Sequence, residues 1–151
     1  MTRLHQVMGL ALLTLAISGV VATAGPSLPK GVPLPEEIVV TRPDPNVNPD
    51  YAPFSGTWTG AWGGNKLDHV LVVEKIEGNK AHVIYAWGTY PNWGIFESGW
   101  VRRVAEFGGD GLEVKDLGPN HATYNFDKDG TLRGWYRGPR ANTTIKLGKI
   151  P

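Results

Sequence analysis

From Phe54 onward, apolar and polar positions alternate in short runs, and each run stops at a cluster of glycine, asparagine, aspartate or proline. The runs are "GTWTGAW", "LDHVLVVEKI", "AHVIYAW", "IFESGWVRRVAEF", "LEVKDL", "HATYNF", "TLRGWYRG" and "TTIKLGKI". A period of two puts successive side chains on opposite faces of a strand; no run keeps the helical period near 3.6. The breaks "GGN", "EGNK", "GGDG", "GPN", "DKDG" and "PRAN" hold residues that tolerate φ > 0, as tight hairpins require. One connection, "GTYPNWG", is longer. The pattern predicts an all-β domain of eight antiparallel strands in hairpin order. Closure into an up-and-down β-barrel is the expected architecture, because pairing the last strand with the first leaves no exposed edge. In the first run Gly56, Trp58, Gly60 and Trp62 share one parity, taken as the inner face. The glycines are expected to let this strand coil and to make room for the indoles.

The segment before the barrel is patterned differently. Proline recurs from Pro26 to Pro53, which excludes a helix and predicts an extended, spacer-like arm. Its one β-prone stretch is "EEIVVT", Glu36 to Thr41, expected as an edge strand or a tail laid on the barrel. That stretch is also similar to the TonB box of outer-membrane TonB-dependent transporters, for which the remaining chain is far too short. The first 24 residues carry Arg3, then the apolar run "VMGLALLTLAISGVV", then Ala22-Thr23-Ala24. This is the order of a secretory signal peptide cut near Ala24-Gly25; the run is too short for a membrane span, which needs about 20 residues. The expected organisation is therefore signal peptide 1–24, Pro-rich linker 25–53 and barrel 54–151. It implies a secreted or periplasmic protein, bacterial in style, with no membrane span after cleavage.

Composition adds exclusions. The 151 residues carry a formal net charge of +1, so neither a basic nucleic-acid footprint nor an acidic tail is expected. There is no cysteine, which removes disulfides, thiol chemistry and thiolate metal sites from an exported chain.

The Phe54-x-Gly56-x-Trp58 start is similar to the opening Gly-x-Trp signature of the calycin barrels, the lipocalins and avidins among them. "GTWTGAWG" resembles an avidin-type first strand, and "DGTLRGWY" resembles a Gly-rich hairpin of the same group. The resemblance runs from about Phe54 to Ile150. It implies that Trp58 closes one end of the barrel and that a late arginine, Arg133, Arg137 or Arg140, packs on its indole. The chain lacks a long C-terminal helix and the polar set that avidins place around biotin, so biotin is not implied. There is also a likeness to Trp-rich modules attached to secreted bacterial hydrolases. No Gly-x-Ser-x-Gly elbow is present, so no hydrolase chemistry follows from it.

Candidate binding residues are aromatic. Trp87, Tyr90, Trp93 and Trp100 surround the longest loop, where ligands enter barrels, and Trp62 and Tyr124 join them from neighbouring strands. Flat rings there suit a sugar, a heterocycle or a cation. Candidate polar orienting residues are His69, Glu97 and Arg102. Glu97 and Arg103 share one parity and Arg102 and Glu106 the other, so either set supplies a possible inward Arg–Glu pair. His69 follows the parity of Leu71 and Val73, but Val70 and Val72 are equally apolar, and its facing stays open. His82 and His121 show no metal-ligand spacing, and "DKDG" reads as a turn. No catalytic, metal or cofactor motif is found. The expected function is binding of a small apolar or aromatic-stacking molecule in a Trp-lined cavity or mouth. The alternatives are an envelope protein-interaction module tethered by its arm and, behind it, a small hydrolase or isomerase using Glu97 or His69.

Overall fold

The computed structural model describes residues 25–151; the expected signal segment, 1–24, lies outside them. Eight strands follow in hairpin order: β1 (Gly56–Ala61), β2 (Leu67–Glu77), β3 (Lys80–Trp87), β4 (Gly99–Gly108), β5 (Gly111–Leu117), β6 (Asn120–Phe126), β7 (Leu132–Arg137) and β8 (Asn142–Lys149). Each is antiparallel to its neighbour, and β8 returns to β1 to close the barrel. At that seam Trp58 stands opposite Lys149 and Thr59 opposite Gly148, and the Ile150 N–H donates to the Thr57 carbonyl at 2.8 Å.

Two local expectations are corrected. The fourth strand begins at Gly99, not at Ile95. Tyr90 and Ile95 exchange two backbone hydrogen bonds, 2.8 and 3.2 Å, around a 3-10 turn at Pro91–Trp93, so the backbone of Ile95 is committed to the loop. The first-strand glycines also serve a different neighbour. A Cβ on Gly60 would run into the Lys146 carbonyl, and one on Gly56 (φ 115°) into the Lys149 side chain. They admit β8 rather than the indoles. Glycine does make room for a ring at two other cross-strand pairs, Gly134 opposite Tyr124 and Gly99 opposite Trp87.

The two ends of the barrel differ. At one end Tyr51 stacks on Phe107 with centroids 4.0 Å apart, and Phe54 meets Phe107 and Phe126 edge-on at 5.2 and 4.6 Å. Trp58 seals this end, its Nε1 donating to the Phe54 carbonyl at 2.8 Å. The cation over its ring is Lys149, 5.2 Å from the centroid, not one of the three arginines expected; Arg133 pairs with Asp127 instead. Leu71, Leu112, Leu132 and Leu147 fill the middle and are wholly buried. Each such side chain contributes roughly 1.5–3 kcal/mol.

The Pro-rich arm is not a free spacer. Val32, Leu34 and Ile38 pack over the outward side chains Val70, Val72, Ile84 and Ala86 of β2 and β3. "EEIVVT" forms no strand. It is held by the Thr41 N–H donating to the Glu74 carbonyl at 2.7 Å, and by Arg102, whose Nη2 donates to the Glu37 carbonyl at 2.7 Å. The same guanidinium binds both oxygens of Glu74 at 3.2 and 3.3 Å.

Candidate functional site

The end opposite Trp58 is open. It is framed by the β1–β2, β3–β4, β5–β6 and β7–β8 connections, which enclose a cavity of about 1230 Å³. That exceeds the roughly 300–1,000 Å³ usual for small-molecule sites. Trp62 enters from the end of β1, where Gly63 and Gly64 (φ 66° and 68°) turn the chain sharply into β2. Tyr85 and Trp87 follow on the inward parity of β3, and Tyr136 on that of β7. Trp93 reaches over from the long loop and lies against Gly63, where a Cβ would strike its ring. Lys66 Nζ sits 5.5 Å from the Trp93 ring centroid, and the Trp87 indole donates to the Glu97 carbonyl at 3.0 Å.

One side of the wall is thin. Strands β4 and β5 pair only from Glu106 to Gly108 against Glu113 to Gly111. Above that point Asp116 takes φ 59°, and Arg103 spans the gap, its Nε donating to the Asp116 carbonyl at 2.9 Å and its Nη1 to the Arg102 carbonyl at 2.8 Å.

Behind the aromatic lining lies a buried polar pair. The His69 ring is packed against Trp62, Tyr85 and Tyr124 with centroids 5.4, 4.3 and 6.0 Å away. Its Nδ1 is 2.7 Å from the Ala86 carbonyl, which only accepts, so Nδ1 carries the hydrogen and Nε2 accepts from the Tyr124 hydroxyl at 2.8 Å. Burial lowers the His69 pKa to about 4, against the opposing pull of the Ala86 bond, and the ring is neutral at pH 7. Burial likewise raises the Tyr85, Tyr124 and Tyr136 hydroxyls above their ordinary values, so all three stay protonated. Trp62 is 1% exposed, and its Nε1 has no hydrogen-bond partner among the described residues. The indole lies near enough to the Tyr85 hydroxyl to oppose slightly the rise in that phenol's pKa, without hydrogen-bond geometry.

Of the residues singled out in the sequence, Trp62, Trp87 and Trp93 line the cavity. Tyr90 braces Trp93 edge-on at 5.2 Å and does not line it. Tyr124 and His69 are sealed behind the lining. Trp100 and Arg102 face outward on β4, the guanidinium 5.6 Å from the indole centroid. Arg102 does find a glutamate, but it is Glu74 beneath the arm, outside the barrel. Glu97 is an exposed loop residue that contributes its carbonyl to Trp87. Sequence reasoning passed over Tyr85 and Tyr136 as lining residues, although their inward parity was readable: Tyr85 with Ala81 and Val83, Tyr136 with Leu132 and Gly134. Arg103, named as a possible inward partner of Glu97, does line the cavity, but without that glutamate. Lys66 and Arg140 lie in turns, where no period gives a facing.

No protein-family model matches the chain, and no curated protein does either.

Proposed function

We propose that this protein binds a small, partly apolar ligand in the open end of its barrel. One observation carries the reading: a cavity of about 1230 Å³ ringed by Trp62, Tyr85, Trp87, Trp93 and Tyr136, in a barrel whose other end is plugged. Stacking on such rings contributes about 0.5–1.5 kcal/mol per pair beyond area burial. Several together support micromolar affinity, about −8 kcal/mol. The calycin likeness of the Gly-x-Trp start agrees with a barrel of this form and with this kind of use. The charge, apolar and small-residue order of 1–24 supports export of the mature chain. Neither residue on which a hydrolase or isomerase would depend, Glu97 or His69, lines the cavity.

The experiment is a titration of tryptophan fluorescence with lipids, sugars and heterocycles, in wild type, Trp93→Ala and Trp100→Ala. A hit should weaken with Trp93→Ala and be unaffected by Trp100→Ala, whose indole is outside. A panel that moves no emission, or hits that Trp93→Ala binds as tightly as wild type, would remove the cavity from the proposal.

A further inference from the structure

We infer that the ligand of this cavity is an aromatic anion: a flat, mostly apolar body carrying one carboxylate, sulfonate or similar group. The inference rests on the binding reading above and narrows it. Its first support is a local excess of charge. The chain as a whole has 15 Lys and Arg against 14 Asp and Glu, yet the cavity is lined by Lys66, Arg103 and Arg140 with only Asp116 opposing them. None of those three cations meets a carboxylate among the described residues, Asp116 included. Arg103 uses its Nε and Nη1 on carbonyl oxygens and keeps its remaining donors free. A guanidinium with open donors on a half-enclosed wall suits a planar carboxylate or sulfonate.

The second support is the lining itself. Five of its side chains are indoles or phenols, which stack on a flat body better than on a flexible chain.

The test uses two dyes with one skeleton, 8-anilinonaphthalene-1-sulfonate and its neutral counterpart N-phenyl-1-naphthylamine. They are titrated into the folded protein at low and high salt, in wild type, Arg103→Met, Arg140→Met and a remote control, Lys75→Met. The sulfonate is expected to bind about tenfold more tightly at low salt, about 1.4 kcal/mol. The gap should narrow in high salt, because the mouth is open to screening. It should shrink several-fold in each arginine variant and persist in Lys75→Met. Arg103 also bridges β4 to β5, so its variant could unfold; Arg140 enters no ion pair among the described residues and keeps the test decisive. Equal affinity for the two dyes, or a gap that survives both arginine changes, overturns the inference and leaves general ligand binding standing. Binding of neither dye overturns both. Displacement of the sulfonate by 1-naphthoate more readily than by decanoate is expected, and the reverse order overturns the aromatic half.

Discussion

The Tyr124 hydroxyl donates to His69 Nε2 across 2.8 Å in a place that solvent does not reach. With Nδ1–H committed to Ala86, the imidazole has no site for a second proton unless the tyrosine turns its hydrogen away. The lowered pKa, about 4, follows from burial and fixes a pH dependence. Below the unfolded value of about 6.5 the unfolded chain binds a proton that the folded one refuses. Stability should therefore be level above pH 6.5, fall as pH drops from 6.5 toward 4, and level again for this group below 4. The full span is on the order of 3 kcal/mol. Urea unfolding at pH 7 and 4.5 checks it. In His69→Leu this part of the slope should vanish, while stability at pH 7 drops by roughly 1–3 kcal/mol because the Tyr124 hydroxyl and the Ala86 carbonyl lose their partner.

Removal of Pro26–Pro45 would uncover Val70, Val72 and Ile84, each fully buried in the intact chain. The shortened protein should keep the far-ultraviolet spectrum of a barrel but lose roughly 3 kcal/mol and self-associate through the bared face. Light scattering and the urea midpoint measure the two effects. A monomer of unchanged stability would show that the arm contributes no cover.

Gly60→Ala tests the seam. The added methyl collides with the Lys146 carbonyl, which cannot yield without parting β8 from β1. A loss of about 2 kcal/mol or more is expected, with faster amide exchange at Ile150, whose N–H bonds Thr57. Gly64→Ala serves as the comparison. No atom crowds that position, so only its positive φ should cost, about 1 kcal/mol.

At the plugged end, burial should outweigh charge. Trp58→Ala removes a side chain that is 1% exposed and is expected to cost about 3–5 kcal/mol. Lys149→Met removes an exposed cation that lies over the ring and donates to the Pro53 carbonyl at 3.4 Å, and should cost under about 1 kcal/mol in the same denaturation assay.

The barrel, its closure and most strand positions were legible because hairpin turns and alternation are local signals. The facing of β2 was not. Its "VLVV" run is apolar on both faces because Leu71 and Val73 point into the barrel while Val70 and Val72 lie under the arm, and nothing local to β2 announces that cover. The same hidden contact turned Arg102 from a candidate ligand group into a clasp on Glu37 and Glu74. At the mouth the indoles were found by their clustering around one loop. Lys66 and Arg140 were not, since turn residues obey no period and acquire a common cavity only once four connections meet in space.

The short β4–β5 ladder gives the barrel a direction of compliance. The hoop is joined least at two staves, three residue pairs at β4–β5 and two at β8–β1, and the strap across the first of them is the Arg103 side chain. A guest too bulky for the rim would be admitted by drawing that one strap aside.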